Sequence, residues 1–124
     1  MRVFKTKPFA RFADRAGIAD AALQEAIQRV EAGLVDADLG GGVIKQRIAR
    51  GGRGKSGGFR SIILFRRGQK AFFVFGFVKS GQDNIRRDEL KAFRFLADEM
   101  LALDDGALAA AMGNGTITEV PYHG

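Results

Sequence analysis

The sequence predicts an α+β domain: an antiparallel β-sheet with an N-terminal helical hairpin on one face and a further helix toward the C-terminus. Three observations predict it. Apolar residues recur at helical spacing up to Leu34, the period changes to two between Val43 and Lys79, and a helical stripe returns from Arg87 to Leu101. At 124 residues the chain suits one domain and is too short for two cores of ordinary size. Its 46% hydrophobic and 27% charged residues match the usual globular balance, which argues against wholesale disorder.

Arg2 to Lys5 reads as a short opening strand, and Phe9, Phe12 and Ala13 then recur at helical spacing up to Gly17. Asp20 can cap a second helix, in which Leu23, Ala26, Ile27, Val30 and Leu34 fall at i, i+3, i+4, i+7 and i+11. Gly33 suits a left-handed cap at its end. Two helices joined through Gly17 make an antiparallel hairpin, which needs another apolar surface to cover. Val43 to Arg50, Phe59 to Phe65 and Lys70 to Lys79 are rich in Ile, Val and Phe and are bounded by glycines or charged turns. Arg66 to Gln69 forms a tight turn, so the three strands make a meander. Eight of the 17 glycines lie between Gly40 and Gly58, which marks two loops and not general flexibility. Leu90, Phe93, Ala97, Met100 and Leu101 form the buried stripe of the last helix, with Asp88 and Glu89 at its positive end. The expected domain spans residues 1–103. Residues 104–124 read as a C-terminal extension with a short helix through Met112 and a strand at Thr116 to Val120.

Charge is distributed unevenly. Ten basic residues lie between Leu39 and Gln82 without a single Asp or Glu, whereas the rest of the chain holds ten basic residues against all fourteen acids. So pure a block concentrates positive potential and points to a polyanion, nucleic acid first. Several classes are excluded. There is no cysteine for a disulfide, thiol nucleophile or thiolate site, and the one histidine, His123, sits next to the C-terminal residue, which disfavours a triad or histidine metal site. The longest apolar run, Ala71 to Val78, has eight residues, against the roughly 20 of a membrane span. The N-terminus alternates basic and aromatic residues and is not a secretory signal, so a cytoplasmic location is expected and no membrane partner. Gly52, Gly54 and Gly57 satisfy G-x-G-x-x-G, and Gly54-Lys55-Ser56 looks like the end of a Walker loop. Both motifs must open a helix, and here a strand-like run follows.

Alternation puts Val43, Lys45, Arg47 and Ala49 on one face of their strand and Ile44, Gln46, Ile48 and Arg50 on the other, more hydrophobic, helix-facing side. Lys45 and Arg47 are then neighbours on an open face. In the next strand Arg60 alternates with Ile62 and Leu64. In the last, Phe73, Phe75, Phe77 and Lys79 are expected on one face and Phe72, Val74 and Val78 on the other. That strand therefore belongs inside the sheet, and its phenylalanines read as core rather than base-stacking residues.

The stretches Gly41-Gly42-Val43-Ile44-Lys45-Gln46-Arg47-Ile48-Ala49-Arg50, Gly54-Lys55-Ser56-Gly57-Gly58-Phe59-Arg60, Phe75-Gly76-Phe77-Val78-Lys79 and Asp83-Asn84-Ile85 with Glu89-Leu90 resemble a RelE/HigB-type toxin of the RelE/ParE superfamily. The resemblance runs from about Val3 to Leu101. It implies a RelE-like, microbial-ribonuclease-like fold and the toxin half of a type II toxin–antitoxin pair. The implied activity is a ribosome-dependent mRNA endonuclease that inhibits translation and uses no metal or other cofactor. The implied partners are the ribosome, mRNA and a cognate antitoxin, often a helix-turn-helix protein. By position, Lys45 falls nearest the RNA 2′-hydroxyl, as a base where neighbouring cations favour its neutral form. Arg47 and Arg60 clamp the phosphate, Lys79 lies near the leaving oxygen, and Arg50, Arg53 and Lys55 hold ribosomal RNA or flanking mRNA. Many relatives place a tyrosine or histidine after the last strand; Ser80 to Asn84 has neither, and the one tyrosine, Tyr122, is in the tail. Two other activities share the fold: poisoning of DNA gyrase, as in ParE-like relatives, and non-catalytic nucleic-acid binding. The dense Lys/Arg site favours RNA.

Overall fold

The period-two stretch forms the middle of a six-stranded sheet in the order β2-β3-β4-β5-β1-β6. The structure is a computed structural model and describes residues 1–49, 58–78 and 85–123. Its strands are β1 (Arg2–Thr6), β2 (Ala37–Gly40), β3 (Val43–Ile48), β4 (Phe59–Arg66), β5 (Lys70–Val78) and β6 (Ile117–Val120). Its helices are α1 (Lys7–Ala16), α2 (Asp20–Glu31), α3 (Arg87–Met100) and α4 (Asp105–Gly113). The sheet is antiparallel except where β1 runs parallel to β5. The β3-β4-β5 meander has the expected order. The opening strand lies deep in the sheet between β5 and β6, and the segment after Leu103 contributes α4 and the edge strand β6.

The hairpin α1–α2 covers one face. Thr6 caps α1 by accepting from the Phe9 amide at 3.4 Å, and Gly17 ends it in a left-handed conformation, φ 71°. The cap expected of Asp20 is not made: Ala19 precedes α2 without a side-chain cap, and the Asp20 carboxylate pairs with Lys5 Nζ at 3.0 Å, tying α2 to β1. Leu23, Ile27 and Val30 of α2 join Phe9, Ile44, Ile48, Ile63 and Phe73 in the first core. The second core, on the opposite face, unites Phe4, Val43, Ile62, Leu64 and Phe72 with Ala97 and Leu101 around α3 and with Leu108 of α4. Among the described residues no helix is long and apolar enough to cross a membrane.

Two further features differ from the expectation. Strand β2 was not anticipated. Its four residues carry no alternating apolar pattern, and it pairs with β3 through a turn in which Gly40, Gly41 and Gly42 all have positive φ. In β5 the register slips by one residue: Ile63 faces Phe73 while Ile62 faces Phe75, leaving Val74 as a bulge. Phe73 therefore packs under the helical hairpin, whereas Phe75 and Phe77 turn onto the α3 face. The expectation that Phe73, Phe75 and Phe77 share a face is thus corrected.

Candidate nucleic-acid interface

Strands β3 and β4 pair in regular register, so alternation carries directly into cross-strand neighbours. Arg47 stands directly opposite Arg60, and Lys45, two residues along, stands opposite Ile62. All three cations are half-buried on the α3 side of the sheet. Gly58 lies just before β4, where a Cβ would come within 3.0 Å of Arg47 Nε, so the missing side chain makes room for that guanidinium. From the other face the same strands are held firmly. Gln46 is buried; its side chain accepts from the Asp36 amide and donates to the Leu34 carbonyl, each at 3.1 Å. Ser61 donates to the Gln46 carbonyl at 2.9 Å. The backbone that presents the cations is therefore pinned from behind.

The basic block divides by role. Arg66 and Lys70 donate to the Leu101 carbonyl, each at 3.1 Å, and so neutralise the negative end of α3. Arg67 reaches the Glu31 carbonyl at the end of α2 at 3.4 Å. Among the described residues no carboxylate pairs with Lys45 or Arg60. The acids that open α3, Asp88 and Glu89, lie 3.5 and 3.4 Å from Arg86 instead. Lys79, Arg50, Arg53 and Lys55 lie outside the described residues.

The bulge adds residues that sequence reasoning missed. Phe77 stands opposite Arg60 on its other flank, and Phe75 opposite Ile62, so a row Arg47–Arg60–Phe77 crosses three strands. No pattern in the sequence signals this, because β5 is apolar on both faces. Among the described residues no three His, Asp or Glu side chains gather where they could hold a metal ion.

A mostly antiparallel sheet with a helical hairpin on one face and Lys45, Arg47 and Arg60 on the other defines a small α+β protein. The sequence assigns it further: residues 1–120 match the family model described as the RelE toxin of the RelE / RelB toxin–antitoxin system. The chain belongs to this RelE toxin family. No curated protein matches it.

Proposed function

We propose that this chain is the toxin of a type II toxin–antitoxin pair, of the RelE/HigB-like branch, and that it cuts mRNA on the ribosome without a metal. The observation that carries this reading is the direct opposition of Arg47 and Arg60 on one sheet face, with Lys45 beside them. Like charges in that relation repel when the face is empty, and a phosphate between them turns repulsion into attraction. RNA supplies its own nucleophile. The 2′-oxygen attacks the adjacent phosphorus and closes a cyclic phosphate as the bond from phosphorus to the 5′-oxygen breaks. One proton leaves the 2′-hydroxyl and one reaches the 5′-oxygen.

In this reading Lys45 takes the first proton. Arg47 and Arg60 hold the non-bridging oxygens, because a planar guanidinium can contact two at once, and they stabilise the charge that gathers on phosphorus. Lys79 serves the leaving oxygen, and Arg50, Arg53 and Lys55 hold ribosomal RNA or flanking mRNA. A cognate antitoxin, a helix-turn-helix protein with an acidic contact surface, covers the cations in the resting cytoplasmic complex.

Primer extension on a reporter mRNA in a reconstituted translation system tests the proposal, comparing wild type with Lys45→Ala. New 5′ ends that require ribosomes and vanish in the variant are expected. Intact mRNA with the wild type overturns the nuclease reading, and unchanged cleavage by the variant overturns the role of Lys45.

A further inference from the structure

Phe75 is 43% exposed although it lies in the middle of a sheet whose Phe4, Phe72 and Phe73 are completely buried. It is not a stray surface ring. Its centroid lies 5.9 Å from that of half-buried Phe77, at an interplanar angle of 35°, and Phe93 of α3 supports it at 5.9 Å. The bulge at Val74 turns Phe75 and Phe77 toward Lys45, Arg47 and Arg60. An open aromatic surface beside clustered cations selects for two properties together: negative charge and flat apolar groups. A nucleic-acid single strand carries both, in its phosphates and its unpaired bases, whereas a duplex hides its base faces.

We propose that Phe75 and Phe77 form a stacking platform for an unpaired base of single-stranded RNA whose neighbouring phosphate rests on Arg60 and Arg47. From Arg47 to Phe77 is two interstrand steps, about 10 Å, short enough for one phosphate and an adjoining base to be gripped together. Both rings act as positioning residues: stacking fixes the nucleotide so that its phosphate stays on the guanidinium groups. The inference deepens the ribonuclease reading and rests on it for the choice of RNA as ligand.

The test measures binding of the full chain to a short single-stranded RNA with 2′-O-methyl sugars, which cannot be cut. A second oligomer of the same length with abasic residues keeps the phosphates and removes the bases. Phe75→Leu and Phe77→Leu keep apolar bulk without a flat ring. Phe75→Tyr keeps the ring, and Phe95→Leu alters a 68% exposed ring of α3 as a control. Each leucine variant at 75 or 77 should weaken binding of the intact oligomer by about 5- to 100-fold. Both should match wild type on the abasic oligomer and keep its salt dependence. Phe75→Tyr and Phe95→Leu should bind as wild type does.

Equal binding of the intact oligomer by wild type and both leucine variants overturns the platform. An equal loss on the abasic oligomer also overturns it, because the defect then lies in the sheet and not in stacking. So does a wild type that binds no intact oligomer at all, or a leucine variant that keeps RNA binding and loses only an acidic protein partner. Cleavage separates the two proposals. Base-dependent binding without ribosome-dependent cleavage supports the platform and overturns the nuclease. Equal binding and equal cleavage by wild type and leucine variants do the reverse.

Discussion

Neutralising Arg60 should stabilise the fold while it disables the site. Cβ atoms directly opposite in adjacent antiparallel strands lie about 5 Å apart. Two unit charges at that distance repel by roughly 0.8 kcal/mol in a water-like dielectric, and by roughly half of that if their heads splay to twice the separation. Arg60 faces Arg47 in this relation, and among the described residues no carboxylate offsets Arg60. Arg60→Gln keeps most of the stem that covers neighbouring apolar surface and removes the charge. Its expected gain is therefore about 0.4–0.8 kcal/mol, read as a higher urea midpoint with an unchanged slope. At about 1 M salt, where the screening length is roughly 3 Å, the gain should vanish. Ribosome-dependent cleavage should meanwhile fall by at least about 100-fold, the order seen when one preorganised donor to a developing charge is removed. A loss of stability above about 1 kcal/mol would refute the reasoning, because only a structurally paired arginine would be missed so much.

Two further expectations concern the scaffold. A Cβ on Gly76 would lie 2.4 Å from two ring carbons of Phe12, so Gly76→Ala should destabilise by about 1–3 kcal/mol in urea titration, and by much less in a Phe12→Ala background. Burial, followed by its hydrogen bond to Glu31, pushes the Tyr122 phenol up from 10.0 to about 12. The folded state holds that proton more tightly than the unfolded chain does. Its contribution to stability is thus complete below pH 10 and lost as the pH rises to about 12. With one tyrosine and no tryptophan in the chain, phenolate absorbance reads this group alone, and Tyr122→Phe should flatten the decline in stability over that window.

Helices α1, α2 and α3 were legible because each repeats its apolar residues at the helical period, over one turn in α1 and more than two in α2 and α3, and glycines mark the ends of α1 and α2. The meander was legible because three Ile/Val/Phe-rich runs follow one another across short or glycine-marked links. Partners far apart in sequence were not. The parallel pairing of β1 with β5 joins residues 68 positions apart, as in Arg2 with Lys70, and no local pattern encodes it. β2 escaped because Ala37–Gly40 has neither β-branched residues nor alternation; β3 and a run of positive-φ glycines hold it in place. That Lys45 and Arg47 share an open face could be read from alternation, but the register that sets Arg47 opposite Arg60 could not, because alternation gives the face and not the partner. The aromatic side of the site could not. Sequence alternation fixes facing only where the two faces differ, and in β5 both are apolar, so a one-residue bulge leaves the pattern unchanged.

That same bulge explains how one sheet face can serve two ends. Val43 and Leu64 must lie against Ala97 and Leu101, and Gly42 lets Leu101 come within 3.0 Å of where a Cβ would stand. Further along β3 and β4 the residues on that face become Lys45, Arg47 and Arg60, which are only half-buried. Without an extra residue in β5, strict alternation would aim Phe73, Phe75 and Phe77 together at the helical hairpin. The slip at Val74 keeps Phe73 in that core and returns Phe75 and Phe77 to the cationic side. Gly76, now on the hairpin face, is required there because the Phe12 ring occupies the space a side chain would need. Gly76→Ala thus probes the scaffold that aims the rings, whereas Phe75→Leu and Phe77→Leu probe the rings themselves. If the platform reading holds, the first should lower stability with RNA binding retained in the folded fraction, and the others should lower base-dependent binding with stability nearly unchanged.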